Sequence, residues 1–278
     1  MSRIDEINGR LTTSTLKMLM TRSFRRLGFN QPQPKTRVRR WFRRIGQMLC
    51  TLVLLYISLY TFPQILFPYS YSMQGVTIYA RFPLPPEASK RITEIVKLIQ
   101  HSELAVAGRS ERIFICNKPW LFRLLSPMSS GAFAYSLPVT DNVFVANADL
   151  IHNVARSAAP EFNTRSFSAV AAHEITHGLI RHRIGLLGRL PTWITEGYCD
   201  YVARESSFPE ALGLRLLATG QPHPSGSFRY FVFRQMVSYL IEERHFSFQQ
   251  VVERANQAAS VEEETVKAIK ARKAATNI

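Results

Sequence analysis

The chain has 278 residues, a formal net charge of +15 and a hydrophobic content of 46%. Its length fits one large domain or two small ones, and its apolar content excludes a protein that is disordered throughout. The charge is concentrated at one end, because residues 1–47 carry 12 Lys and Arg and only 2 acidic residues. A strongly basic N-terminal arm therefore precedes a mildly basic remainder.

An uncharged segment follows this arm. Residues 45–67 contain no Asp, Glu, Lys or Arg, and nine basic residues without an acid lie directly before them. A helix of about 20 residues crosses the ~30 Å hydrocarbon core of a bilayer. We therefore predict a basic cytoplasmic arm over 1–44 and a transmembrane helix over 45–67. A buried core helix and a cleaved signal peptide are the alternatives.

The arginine-rich flank also predicts a topology. The excess of Lys and Arg on the cytoplasmic side of a span places the arm in the cytoplasm and the domain over 75–278 on the other side. In a bacterium this is a single-pass inner-membrane protein with a periplasmic domain; the inner membrane of an organelle is the alternative. The arm suits anionic lipid, and nucleic acid is disfavoured because no fold for reading bases accompanies it.

The number and spacing of the three cysteines limit the kinds of metal or disulfide site that they can form. They are too far apart for a CxxC metal or redox motif and too few for a disulfide scaffold. We expect Cys116 and Cys199 to be buried free thiols, with a disulfide between them as the alternative.

Hydrophobic periodicity predicts an α+β domain with a small mixed sheet followed by a mainly helical half. Alternating apolar runs predict strands over 76–81, 112–116, 132–135 and 142–146. Apolar residues at helical spacing predict helices over 86–102, 166–183, 192–206, 227–244, 247–257 and 261–274.

The predicted helix over 166–183 contains His173-Glu174-Ile175-Thr176-His177, a match to H-E-x-x-H. Residues four apart lie on one face of a helix, about 6 Å from each other, so both imidazoles can bind one zinc ion. Glu174 lies beside them and can act as general base on a water molecule at the metal. Two structural histidines on a buried helix are the alternative.

A catalytic zinc site takes a third protein ligand, and the next predicted helix offers one. A metzincin needs Gly and His where this chain has Ile180 and Arg183. The run LPTWITEGYCDY over 190–201 instead places Glu196 and Asp200 one turn apart on a mainly apolar helix. Glu196 can complete the zinc ligands, and Asp200 can hydrogen-bond a ligand histidine. An ordinary solvated acidic pair is the alternative.

These two helices resemble those of the gluzincin metallopeptidases of the thermolysin-like clan. They are most similar to the short, membrane-anchored bacterial proteins called peptidase MA-like, in which W-x-x-E-G marks the glutamate helix. The match covers about residues 166–205. The resemblance implies a zincin-like domain that binds one Zn²⁺ per chain through His173, His177 and Glu196, with Glu174 as the general base.

The resemblance implies further site residues. Asp200 is expected to hydrogen-bond the first histidine of the motif. In the family, an edge strand ahead of the H-E-x-x-H helix holds an extended substrate, and residues 131–135 are the candidate here; an ordinary buried strand is the alternative. A Tyr or His after the glutamate helix donates to the tetrahedral intermediate. Tyr230 is the first candidate for this catalytic role, followed by His223 and Tyr239.

The leading hypothesis is a membrane-anchored zinc metallopeptidase that hydrolyses peptide bonds with a zinc-activated water and a glutamate base. Its partners are then a peptide or protein substrate and the membrane. A non-catalytic zinc-binding scaffold of the cell envelope is the first alternative. A basic lipid- or nucleic-acid-binding protein that acts through residues 21–44 is the second.

Overall fold

The computed structural model describes residues 37–127, 129 and 131–276, so most of the predicted arm over 1–44 lies outside the described residues. The chain divides into two compact units, Met1–Ser58 and Leu59–Ile278. Helix α1, Arg37–Thr61, contains the described part of the first unit and the first residues of the second.

One helix in the described part of the chain, Arg39–Thr61, is long and apolar enough to cross a membrane, and it contains an 18-residue window with a mean hydropathy of 1.3. It begins earlier and ends earlier than the predicted span over 45–67. It begins earlier because arginine is a good helix former, so the basic flank is helical too. It ends at Thr61 because Pro63, which opens a 3₁₀ helix over Pro63–Leu66, disfavours helical backbone in the residue before it.

The second unit opens with a five-stranded mixed sheet. Its strands are β1 Tyr69–Met73, β2 Val76–Ala80, β3 Glu111–Ile115, β4 Ala134–Ser136 and β5 Val143–Val145, in the order β1-β2-β3-β5-β4. The central pairs β2–β3 and β3–β5 are parallel, whereas the edge strands β1 and β4 are antiparallel to their neighbours. The four predicted strands are present. β1 was not predicted because its residues are almost all exposed and it has no apolar face.

Two helices flank this sheet, α2 Glu87–Gln100 and α3 Pro119–Leu125. A second, three-stranded antiparallel sheet follows, with β6 Asn147–Asp149, β7 Val154–Arg156 and β8 Thr164–Ser166. The sequence did not predict this sheet, because three-residue strands are too short to show a period of two.

Helices make up the rest of the chain: α4 Phe167–Ile184, α5 Thr192–Ala203, α6 Glu210–Thr219, α7 Gly226–Ser238, α8 Phe248–Glu253 and α9 Ala258–Thr276. A π-helical turn, Tyr239–Glu243, extends α7. Two helices were not predicted. The seven residues of α3 are too few to show a helical period. In α6, Gly213 lowers the helix propensity; that glycine packs against the Phe231 ring, 2.4 Å from where a Cβ would be. The α+β class is confirmed, and the zincin-like assignment stays a prediction.

Helix α4 lies at the centre of the second unit. Its apolar residues contribute both to the core beneath the five-stranded sheet and to the core of the helical half. Cys116 and Cys199 are buried free thiols in two different cores, which confirms the expectation of free thiols and makes the disulfide alternative wrong. Burial on all sides makes α4 a rigid support for the polar residues that it carries.

Candidate metal centre

Helix α4 places His173 and His177 side by side. Their ring centroids are 4.9 Å apart and the rings are inclined by 76°. The helix begins directly after β8, where the carboxylate of Glu205 accepts a hydrogen bond from the backbone N–H of Ser166 at 2.9 Å. This contact ties the start of α4 to the chain just beyond α5, so the two helices are held in register.

Glu196 comes from α5 and faces both histidines. Its Oε2 atom is 3.4 Å from His173 Nε2, and its Oε1 atom is 3.8 Å from His177 Nε2. Helix α5 packs against both α4 and α7. The contact with α7 needs Gly197, since a Cβ there would be 2.5 Å from the carbonyl oxygen of Phe233. The structure thus brings together the three residues that the sequence predicts as metal ligands.

Asp200 lies on the far side of the first histidine. Its Oδ1 atom is 2.7 Å from His173 Nδ1 and accepts a hydrogen bond from Arg165 Nη2 at 3.0 Å. Arg165 also donates to the carbonyl oxygen of Glu205 at 2.6 Å. Asp200 therefore fixes the ring of His173 with Nε2 toward Glu196. The role of Arg165 carries no sequence signal, because it belongs to β8, a strand that the periodicity does not reveal.

Burial and charge act against each other in this cluster. Burial lowers the pKa of His173, but the carboxylates of Asp200 and Glu196 outweigh it and raise that pKa to about 10. Burial and the neighbouring His173 lower the pKa of His177. Burial opposes ionisation of Glu196, yet its hydrogen bond to His173 and its closeness to both rings hold its pKa below the ordinary value. Without a metal ion, the positive charge of a protonated His173 thus offsets the negative charges of Glu196 and Asp200.

A second set of donors is present at the same place. His173, His177 and Cys199 each offer an atom within 4.8 Å of the other two and could hold a metal ion. The Cys199 thiol is fully buried, and this burial raises its pKa well above the ordinary value. Cys199 is not part of the cavity wall, whereas Glu196 and both histidines are. We therefore regard Glu196 as the better third ligand for a site that is open to the cavity.

The cluster lines a cavity of about 650 Å³. Glu174 lies in its wall, and its carboxylate makes no hydrogen bond or ion pair with other residues that the structure describes. Strand β4 lines the cavity as well. It pairs with β5 on one side only and is the last strand of its sheet, so its other backbone edge has no strand partner in the described part of the chain. Phe133 and Tyr135, from the predicted substrate strand, are among the wall residues.

Tyr230 is the only one of the three predicted donor residues that lines this cavity among the described residues. It lies in the second turn of α7, and its pKa is raised first by burial and then by the charges of Glu196 and Asp200. His223 and Tyr239 line two other cavities. Tyr230 therefore stays the first candidate, and the role of all three residues stays a prediction.

One further group at this cavity was not predicted. Arg181, two turns after His173 on α4, lines the cavity and donates through Nη2 to Asp141 Oδ1 at 2.9 Å and to Ser136 Oγ at 3.3 Å. Asp141 also pairs with Arg109 at 2.7 Å. The spacing of Arg181 from the motif was a signal that it shares the face of the two histidines.

The other four histidines, His182, His101, His152 and His245, are exposed and lie outside the cavity. Comparison with known proteins adds no family to these observations: no protein-family model matches the chain, and no curated protein is significantly similar to it in sequence.

Proposed function

We propose that this protein is a membrane-anchored zinc metallopeptidase of the gluzincin type. The observation that carries the proposal is the convergence of His173 Nε2, His177 Nε2 and the Glu196 carboxylate at one point of the cavity wall. Asp200 supports it, because a carboxylate on the second nitrogen of a ligand histidine is a common feature of zinc sites.

The distances fit a zinc ion. Ligand atoms about 2.1 Å from a tetrahedral zinc are about 3.4 Å from one another. The contacts of Glu196 are near this size, one from each carboxylate oxygen: Oε2 is 3.4 Å from His173 Nε2 and Oε1 is 3.8 Å from His177 Nε2. Zinc binding requires an unprotonated Nε2 on each histidine, so it would displace the proton that His173 holds in the metal-free protein.

The residues around the cluster supply the remaining parts of a hydrolytic reaction. Zinc bound there would polarise the scissile carbonyl and acidify a water molecule. Glu174 takes a proton from the attacking water and delivers it to the leaving amine nitrogen as the C–N bond breaks. Tyr230 donates a hydrogen bond to the oxygen that becomes negative in the tetrahedral intermediate.

The edge strand β4 supports a peptide as substrate. An extended chain can pair with an unpartnered strand edge, which binds its backbone in a sequence-independent way. β4 borders the same cavity as Glu174, so a peptide paired with it lies beside the general base.

The helix over Arg39–Thr61 supports the membrane anchor. Its basic N-terminal end favours a cytoplasmic N-terminus, with the unit over Leu59–Ile278 on the other side. For a bacterial protein this corresponds to the inner membrane and the periplasm, with the arm on anionic lipid.

Metal analysis and peptide cleavage test the proposal on the full chain in detergent. We expect one zinc per chain in the wild type, loss of zinc with Glu196→Ala, and unchanged zinc in the exposed control His182→Ala. Glu174→Gln should keep zinc and lose hydrolysis of a peptide library, whereas Glu253→Gln, an exposed control, should change neither. A wild type without zinc, or full activity in Glu174→Gln, would refute the proposal.

The non-catalytic scaffold remains a second candidate because of Cys199. If the thiol and Glu196 both bind the ion together with His173 and His177, four protein ligands close the site, as in structural zinc sites. Cys199→Ser separates the two functions. Unchanged zinc and activity support the open, catalytic site. Loss of zinc, together with an inactive wild type, supports the scaffold.

A further inference from the structure

Five exposed apolar residues of the second compact unit lie in three segments of the chain. Leu186 and Leu187 form the tip of the turn after α4, and Leu187 is 93% exposed. Ile65 and Val139 are 82% and 78% exposed, and Phe62 is exposed as well. Single exposed apolar residues are ordinary on protein surfaces, but a group of them marks an interaction site. We call these five residues the docking patch.

A series of contacts relates the neighbourhoods of these three segments. The Nδ2 atom of Asn142 donates to the carbonyl oxygen of Thr61 at 3.2 Å, and Thr61 is the last residue of the candidate span. The neighbouring Asp141 accepts from Arg181, in the last turns of α4, at 2.9 Å. Val139 lies in the turn that leads to Asp141. Side-chain contacts through Asp141 and Asn142 therefore link the last turns of α4 to Thr61.

The turn after α4 is built to expose its leucines. Gly185 has a positive φ of 84°, and its carbonyl oxygen accepts a hydrogen bond from the N–H of Gly188 at 3.0 Å. A Cβ at position 188 would be 2.5 Å from the carbonyl oxygen of Ile184. The backbone thus needs glycine at both ends of the turn, and the tight reversal holds Leu186 and Leu187 away from the core.

The charged residues that flank the leucines in the chain are of one sign. The chain has no acidic residue between Glu174 and Glu196, while Arg183 and Arg189 are both exposed. Arg183 stabilises the C-terminal end of α4 through the helix dipole. Arg189 lies beyond the helix, so the helix dipole does not explain a basic residue at this position. Exposed leucines flanked by arginines are the composition of segments that bind anionic bilayer surfaces.

We propose that the docking patch inserts into the interface of the bilayer that the candidate span crosses. Leu186 and Leu187 enter the boundary between headgroups and acyl chains, and Arg183 and Arg189 contact anionic headgroups. Continuity with the end of the span selects a bilayer as the occupant, because the anchor keeps the patch at high local concentration beside lipid.

This placement has a consequence for the substrate that rests on the proposed peptidase function. Pro138 and Arg181 line the cavity of the candidate metal centre, and they adjoin Val139 and the end of α4 respectively. Part of the cavity wall therefore adjoins, along the chain, the segments that carry the docking patch. The substrates are polypeptide segments within a few residues of a membrane surface.

Lipid-dependent quenching tests the docking itself on the full chain with Cys50→Ser, which removes the exposed native thiol. An environment-sensitive fluorophore is attached after Leu187→Cys, and the protein is placed in vesicles of phosphatidylcholine and phosphatidylglycerol. The matched control is Ile151→Cys, also exposed and apolar. It lies near the other end of α4, where Asn153 donates to Ser168 at 3.0 Å. An 18-residue helix is about 27 Å long.

We expect lipids brominated near the headgroup to quench the fluorophore at position 187 several-fold more strongly than the one at 151. The difference should decrease when phosphatidylglycerol is omitted or when Arg183→Glu and Arg189→Glu are combined. Equal quenching at both positions, or none at position 187, would overturn the proposal. The second result would assign the patch to a soluble partner instead.

Cleavage of anchored peptides tests the substrate class separately. A peptide library is offered with and without a palmitoyl anchor in the same vesicles. We expect the wild type to cleave the anchored peptides faster, and Leu187→Glu to lose that advantage while it cleaves free peptides at the wild-type rate. Equal rates for both libraries in the wild type would overturn this substrate class. If neither library is cleaved, the proposed peptidase function is refuted. The quenching experiment still tests membrane docking in that case, because it does not depend on cleavage.

Discussion

The Nδ1 atom of His173 lies 2.7 Å from the Oδ1 atom of Asp200, and this contact determines which ring nitrogen faces the cavity. Because Nδ1 is occupied, Nε2 is the atom that faces Glu196 at 3.4 Å. Asp200 is itself held by Arg165. The orientation of the first candidate ligand thus depends on residues of β8, α4 and α5 together.

Asp200→Asn should weaken zinc binding by about 10- to 100-fold, because the amide keeps the shape of the side chain but loses the charge that makes His173 a stronger ligand. It should also lower the free energy of unfolding by about 3 kcal/mol, since Arg165 loses its buried ion partner. Competition with a chelator and denaturant unfolding of the full chain in detergent measure these two effects.

Asp149→Asn is the matched control for this prediction. Asp149 makes the same kind of contact, 2.7 Å to His152 Nδ1, but at the surface. Its replacement should leave zinc affinity unchanged. Equal zinc affinity in wild type and Asp200→Asn would contradict the positioning role of Asp200.

Tyr230→Phe should lower kcat by about 100-fold with little change in KM or zinc content, because the hydroxyl acts mainly on the charge that forms in the transition state. Steady-state kinetics on a peptide that the wild type cleaves measure this. Tyr239→Phe is the control, since Tyr239 lines a different cavity. A rise in KM at constant kcat would instead mean that Tyr230 binds the substrate in its ground state.

Gly197→Ala should destabilise the protein by about 1–3 kcal/mol, as overpacking of a close helix contact does. The added Cβ would be 2.5 Å from the carbonyl oxygen of Phe233, so α5 must move away from α7 and shift Glu196. Gly226→Ala is the control, because its Cβ meets nothing within 4 Å. Denaturant unfolding compares the two variants. Equal stability in both would mean that α5 and α7 are not this close.

Glu111→Gln should make the protein more stable at pH 8 and leave it unchanged near pH 4.5. Burial raises the pKa of Glu111 to about 7, against the attraction of Arg109. The folded protein therefore holds a proton there that the unfolded chain releases from about pH 4.5. The stability that this proton gives is complete below pH 4.5 and is lost as the pH rises through about 7.

The loss amounts to about 3 kcal/mol at pH 8, from the difference between the two pKa values. It should be absent from the glutamine variant, which stays neutral. Unfolding curves of both proteins between pH 4.5 and 8 measure the difference. A variant that is less stable than the wild type at pH 8 would show that the Arg109–Glu111 ion pair outweighs the cost of burial.

The metal-centre residues on α4 could be predicted because their information is local. A helix repeats every 3.6 residues, so positions 173 and 177 share a face in any helical context. Residues such as Arg165 and Asp141 could not be predicted. They lie in a three-residue strand and in a turn, where neither period nor composition indicates a partner.

Local patterns in the chain were enough to predict the α+β class, most of the helices, the apolar helix near the N-terminus and the residues on each helix face. These properties follow from patterns within about 20 residues. The packing of the folded chain was needed to show that Glu196 faces both histidines and that Asp200 contacts one of them. It was also needed to show that Asn142 contacts Thr61 at the end of the candidate span. Such contacts depend on how closely helices and turns pack against one another. For α5 this distance depends on Gly197, which lies against the backbone of α7, and no local sequence pattern indicates that contact.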